Sequence, residues 1–203
     1  MTIVVLSNNE NWEILKELGK NVNWVRVSDI ISFLNYYKAS AYFNLMDNSS
    51  IEDYNALSAP VFINSMSNTL KTIQANENVI RINAWPGFLV NEIWEIAGKL
   101  NEDVNVIFTA INKKCIVVND EPGFVSARTI AMIINEAYFA KGEAVSSQQE
   151  IDTAMKLGTN YPFGPFEWAT IIGHKRIIEL LRKLLETNER YLVAPALLNE
   201  INL

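Results

Sequence analysis

Over its first half the chain alternates short β-branched apolar runs with segments of helical period. Thr2–Leu6 is a run of the kind buried on both faces of a parallel sheet. Trp12, Ile14, Leu15 and Leu18 follow at helical spacing and close at Gly19. Asn23–Val27, Ala41–Met46, Val61–Asn64 and Val79–Asn83 read as further strands, with a helix over Ile30–Tyr37. Strands alternating with short helices predict a parallel sheet with right-handed crossovers, in a compact α/β domain.

After the strand-like run Cys115–Val118 the period changes. Pro122-Gly123 is a break signal, and Val125, Ile130, Ile133, Ile134, Ala137 and Tyr138 then recur along one broad helical face. Ser147-Gln148-Gln149-Glu150 reads as a capping box opening a helix that carries Ile151, Ala154, Met155 and Leu157. The turn Tyr161-Pro162-Phe163-Gly164-Pro165 places a proline at the first turn of the next helix. Ile177, Ile178, Leu181, Leu184 and Leu185 form an apolar stripe on the last long helix, and a short apolar helix over Ala196–Ile201 ends the pattern. The division predicted is an α/β domain over 1–118 and an all-α domain over 119–203. Phe124, Phe163 and Phe166, beside Gly and Pro turns, are expected to be buried where one helix docks on the next.

Composition adds exclusions. A net charge of −6 over 203 residues disfavours a nucleic-acid surface or an anionic membrane. The single cysteine, Cys115, excludes an internal disulfide and a cysteine-rich metal site, and reads as a buried free thiol. No apolar run approaches the about 20 residues of a membrane helix, and the N-terminus has no charged-then-apolar signal, so a cytoplasmic protein is expected. Glu92 and Glu95, three apart on an expected helix, read as a solvated face, and Glu102-Asp103 and Asp120-Glu121 as loop and turn charges.

The segment D-E-P-G-F-V-S-A-R (Asp120–Arg128), then N-E-A at Asn135, I-D-T-A-M-K-L-G from Ile151 and Y-P-F-G-P-F-E from Tyr161, resembles the C-terminal helical domain of the 3-hydroxyacyl-CoA dehydrogenase family. The motifs occur in family order over roughly the last ninety residues. The resemblance implies a reduced Rossmann-like parallel-sheet domain before this helical domain, NAD as the family's cofactor, a 3-hydroxyacyl thioester as its substrate, and pairing through the helical domain.

The resemblance also places the family's site residues. Arg81-Ile82-Asn83-Ala84-Trp85-Pro86-Gly87 matches the segment that carries the family's catalytic histidine, so Asn83 stands at the general base; asparagine cannot hold a proton near neutral pH. Glu95 falls on the glutamate that orients that histidine. Asn64-Ser65-Met66-Ser67 matches the serine segment loosely, with Ser67 or Met66 at the serine, and Ala127 stands where the family has a substrate-binding asparagine. Between first strand and first helix, where the family needs glycines to approach a pyrophosphate, the chain has Ser7-Asn8-Asn9-Glu10-Asn11, so no NAD is expected. Asp29, at the ribose position, reads as a helix N-cap. The helical excursion that contacts coenzyme A in the family is missing. The one histidine, His174, reads as a capping or surface residue at the start of the last long helix.

Two readings follow. In one, the chain has lost dehydrogenase activity and retains a homodimerisation or acyl-CoA-related binding role. In the other it is an acyl-CoA enzyme with a site rebuilt around Glu95, Asn83 and the Ser65/Ser67 segment.

Overall fold

A computed structural model describes residues 1–47 and 54–201, and the chain divides into two compact units, Met1–Phe124 and Val125–Leu203. In the first unit the elements are β1 (Thr2–Leu6), α1 (Asn9–Leu15), β2 (Asn23–Arg26), α2 (Ile30–Leu34), β3 (Ala41–Asn44), β4 (Val61–Ile63), β5 (Val79–Ile82), β6 (Ile93–Ala97), α3 (Glu102–Ala110) and β7 (Lys114–Val117). They form one sheet of order β2-β1-β3-β4-β5-β6-β7. Every ladder is parallel except β5–β6.

Burial on both faces explains the unbroken apolar runs. Along β1, Ile3 and Val5 join a core with Phe43, Phe62, Trp94 and the α3 residues Ile107 and Phe108. Val4 and Leu6 join the opposite core with Phe33, Tyr42, Val61 and Val79. At the edge, β7 keeps Ile116 (52%) and Val117 (47%) half in water, and Cys115 is only partly covered, not the buried thiol expected.

The structure corrects the α/β reading at two places. Glu95 lies on a strand, not a helix: Trp94 and Ile96 are buried while Ile93 and Glu95 are not, the period of two of a β-strand. Glu102 and Asp103 are the first turn of α3, capped by the Asn101 side chain at 2.9 Å from the Val104 N–H, where acids suit the helix dipole.

The second unit is helical: α4 (Ser126–Gly142), α5 (Gln148–Thr159), α6 (Pro165–Ile172), α7 (His174–Leu185) and α8 (Pro195–Asn199). Helix α4 packs against α6, α7 and α8. Its Asn135, buried, donates from Nδ2 to the Leu192 carbonyl at 2.8 Å and accepts from the Ala194 N–H at 2.9 Å, pinning the chain that enters α8. The capping box opening α5 is present. Among the described residues no helix is long and apolar enough to cross a membrane.

The α5–α6 corner explains its motif by sterics. Asp152 Oδ1 on α5 accepts the Phe166 N–H at 2.8 Å, satisfying an orphan donor at the start of α6. Glu167 Oε2 reaches back to the Gly164 N–H at 2.9 Å, and Pro165 occupies the first turn. A Cβ at Gly164 would fall 2.3 Å from Asp152 Cγ, so the turn admits only glycine there. Phe124 and Phe166 are buried as expected, but Phe163 is not: it is 39% exposed and leans edge-on against Trp168. The corner is closed by Asp152, which leaves Phe163 at the surface.

Phe166→Ala should therefore cost ~3–5 kcal/mol in chemical denaturation, as for buried aromatics elsewhere. Phe163→Ala should cost about 1 kcal/mol, the scale of one exposed aromatic pair. A second expectation concerns acid. Glu150 is held down to about 2 by the Ser146 hydroxyl, the Ser147 hydroxyl and the Ser147 N–H. A carboxylate whose folded pKa is depressed stabilises above its unfolded pKa, and that contribution is lost as pH falls from about 4.5 towards about 2. Melting temperature measured between pH 5 and pH 2 should fall less steeply in Glu150→Gln than in the parent.

Candidate functional site

In the first unit the residues that the resemblance singles out fall on or just after β4, β5 and β6. The antiparallel ladder pairs Arg81 with Ala97 and Ile82 with Ile96. Asn83 directly follows β5, and Glu95 lies on β6 beside Ile96. The chain reversal between β5 and β6, invisible to a helical reading of Glu95, puts the segments that carry the two residues on adjacent strands. Asn83 is buried, and its Oδ1 accepts the Trp85 N–H at 3.2 Å. Ser67 is half-buried in the bend after β4, the strand beside β5. Ser65, two residues before it, is buried and donates its hydroxyl to the Asn68 carbonyl at 3.0 Å.

That bend is held by a residue the sequence reading passed over. Arg81, on β5, is fully buried and donates from Nε to the Ser65 carbonyl at 2.8 Å and from Nη1 to Asp120 Oδ1 at 2.6 Å. Both terminal nitrogens also reach the Glu121 carbonyl at 3.3 Å, and the guanidinium lies 4.5 Å over the Phe124 ring. Burial pulls the Arg81 pKa down and Asp120 opposes it; arginine stays cationic at neutral pH regardless. Asp120 is thus an ion-pair partner, not a free turn charge, and its Oδ2 also accepts the Lys71 N–H. The signal was present in Val79-Ile80-Arg81-Ile82: a charge inside an otherwise apolar strand has to be answered by a partner.

Gly123 completes the clamp, donating its N–H to the Met66 carbonyl at 2.8 Å. Gly123 and Phe124 both adopt positive φ (78° and 51°), which for phenylalanine is a strained conformation. The strain buys Phe124 its place against Arg81.

The carboxyl edge of the parallel strands, where α/β folds take nucleotides, is lined with side-chain amides. Asn8 Oδ1 accepts the Asn11 N–H at 2.8 Å and caps α1. Arg26 Nη2 donates to the Ser7 carbonyl at 3.1 Å and to Asn9 Oδ1 at 2.7 Å. Asn11 donates to the Ala84 carbonyl, Asn44 to the Tyr54 hydroxyl, and Asn64 Oδ1 takes the Ala84 N–H. A pyrophosphate needs bare backbone N–H groups at the start of α1 and glycines that let it approach. Here the cap is filled by Asn8, none of residues 7–11 has positive φ, and Glu10 sets a negative charge in the first turn. The loop thus lacks the glycine approach and the bare N–H groups by which such folds take a pyrophosphate. Asp29 caps α2 through the Ser32 N–H at 2.8 Å, and that bond with those of the Ser28 and Ser32 hydroxyls holds its pKa down.

In the helical unit, Ala127 is fully buried on α4. His174 opens α7 with Nε2 2.8 Å from the Tyr138 hydroxyl, whose pKa is raised by burial and then by Glu200 and Asp152. Among the described residues no cluster of His, Cys, Asp and Glu could hold a metal ion.

Residues 123–202 match the profile described as 3-hydroxyacyl-CoA dehydrogenase, C-terminal domain. A 3-hydroxyadipyl-CoA dehydrogenase of Escherichia coli K12 is 50% identical over 72 residues, 36% of this chain and 15% of that protein. A probable 3-hydroxybutyryl-CoA dehydrogenase of Bacillus subtilis is 39% identical over 82 residues, 40% of this chain and 29% of that protein. The chain thus matches less than a third of the length of these relatives. The crystal structure of (S)-3-hydroxybutyryl-CoA dehydrogenase from Ralstonia eutropha superposes with a TM-score of 0.77 over 99% of this chain and 93% of that one. At 16% identity that likeness is one of fold.

Replacing Arg81 by Met should cost about 3–5 kcal/mol in urea unfolding, because it removes the cation that answers Asp120 and the donor to the buried Ser65 carbonyl. Asp120→Asn should cost less, since the amide still accepts from Arg81 and Asp120 is 29% exposed.

Proposed function

We propose, for a chain whose residues 123–202 belong to the 3-hydroxyacyl-CoA dehydrogenase C-terminal domain family, that it is a non-oxidising relative: a cytoplasmic homodimer with an acyl-CoA-related binding role in place of dehydrogenase chemistry. The observation that carries this is Asn83, which follows β5 where the resemblance puts the family's histidine, with Glu95 on the neighbouring strand β6. A carboxylate there can orient an imidazole, which can take a hydroxyl proton; beside an asparagine it has no base to orient. The amide-filled loop at Asn8 supports the same reading from the cofactor side, since hydride transfer requires a bound acceptor.

What Asn83, Glu95 and the Ser65–Ser67 bend can still do is hydrogen-bond. An amide, a carboxylate and a hydroxyl on neighbouring strand ends suit the hydroxyl and carbonyl oxygens of a 3-hydroxyacyl group without transforming it. The dimer rests on the pairing that the family resemblance implies; Leu157 (84% exposed) and Val145 (69%) are apolar residues of the helical unit that a second copy would cover.

The purified protein should reduce NAD with 3-hydroxybutyryl-CoA at less than a hundredth of a usual turnover, since loss of a general base alone forfeits ~10²–10⁴ in rate. A turnover of about 1–10³ per second, the usual range, would overturn the proposal. Asn83→His should not restore the reaction, because the cofactor loop is unchanged. Thermal shift with acetoacetyl-CoA should raise the melting temperature while NAD should not, and light scattering should give twice 23.0 kDa.

A further inference from the structure

The bend after β4 carries one hydroxyl that the rest of the fold leaves unclaimed. Ser65 and Met66 are buried, at 2% and 4% exposure, and the Ser65 hydroxyl is engaged by the Asn68 carbonyl. Ser67 is half-buried, and among the described residues its hydroxyl has no hydrogen-bond partner. Of the two residues that the resemblance sets at the family's serine, Met66 and Ser67, only Ser67 thus has a side chain that a ligand can reach.

A serine has one torsion before its hydroxyl oxygen, so its three staggered positions are set by the backbone on which it stands. Here that backbone is held peptide by peptide. Because a peptide unit is planar, fixing its carbonyl also fixes the N–H of the next residue. Arg81 Nε donates to the Ser65 carbonyl at 2.8 Å, which orients the Ser65–Met66 unit. Nη2 of the same guanidinium donates to the Met66 carbonyl at 3.5 Å, and the Gly123 N–H donates to that oxygen at 2.8 Å, which orients the Met66–Ser67 unit. The start of the bend is tied separately: Asn64 Oδ1 accepts the N–H of Ala84, the residue after Asn83, at 3.3 Å. One planar fork therefore holds both peptide planes that lead into Ser67. A lysine at position 81 would keep a cation for Asp120 but has no fork to span the two carbonyls.

We propose that Arg81 is a positioning residue: by fixing these two peptide planes it aims the Ser67 hydroxyl at an acyl-group oxygen of a bound acyl-CoA. The inference rests on the acyl-CoA reading and deepens it, because it gives the buried cation a part in recognition apart from its pairing with Asp120. A hydroxyl already held in its binding geometry avoids the ordering cost that a loose one meets on binding.

Isothermal titration of the full chain with acetoacetyl-CoA and with coenzyme A isolates the acyl-dependent part of binding as a ratio of two dissociation constants. The parent should favour acetoacetyl-CoA by about tenfold, and Ser67→Ala and Arg81→Lys should each lower that ratio about fivefold, the scale of one hydrogen bond, with the constant for coenzyme A unchanged. In the double variant the ratio should fall no further than in Ser67→Ala alone, since Arg81 acts through that hydroxyl. A residue that serves stability only would leave the ratio at the parent's value or weaken both ligands together, and losses that multiply in the double variant would mark two independent contacts; any of these results overturns the proposal. Backbone relaxation in the parent needs no variant to fold: the Met66 and Ser67 amides should show order parameters of about 0.85, as strands do, and values below about 0.6 would equally overturn it. If acetoacetyl-CoA binds the parent no tighter than coenzyme A, this proposal falls together with the acyl-CoA reading. If the parent discriminates and Arg81→Lys discriminates equally well, this one falls alone.

Discussion

A single buried guanidinium organises the first unit. Arg81 sits on a central strand with no exposed surface, and its five donors reach the bend after β4 and the segment entering α4. Taking that charge out of water is expensive, and the combination of Asp120, the carbonyls of Ser65, Met66 and Glu121, and the Phe124 face offsets it. The arrangement is cooperative in the simple sense that each partner is useful only if the others arrive. It also accounts for the strained backbone at Phe124, which a looser anchor would let relax.

Much of the family signature in this chain proves to be structural. D-x-P-G-F clamps Arg81; the asparagine of N-E-A ties α4 to the chain before α8; the aspartate of I-D-T-A-M and the glycine before Pro165 form one steric unit. Motifs of this kind are kept by what they pack and cap.

What the sequence disclosed follows from how each element is buried. β1, β3, β4 and β5 are covered on both faces, so their apolar runs are unbroken and stand out. β6 is covered on one face, and its Ile-Trp-Glu-Ile pattern matches helix and strand equally over so short a span. Helix α3 hid behind its polar first turn. At the site, the spacing from Asn83 to Glu95 was readable, but that their strands are neighbours depends on β6 running backwards, a property of topology. Asp152 looked like an ordinary helix-surface acid; its role needs the α6 N-terminus, which is fourteen residues away along the chain. Phe163 misled because a large aromatic within a Gly-Pro turn suggests a plug, whereas the carboxylate had already filled that place.

The outer strand β7 has a bearing on solubility. Four residues long, with Ile116 and Val117 half in water, it is the kind of open border along which sheets from separate molecules fuse. Two lysines stand at its entrance. Lys113 is anchored to the carbonyls of Leu89, Val90 and Asn91 and lies over Trp94, and Lys114 is paired with Glu92. An incoming strand would have to pass one ammonium fixed on three carbonyls and displace the other from its carboxylate before gaining its first ladder bond. The border is thus guarded by charge at one end and kept short by the turn to Asp120 at the other, and a hydrophobic rim can stay open to solvent without seeding aggregates.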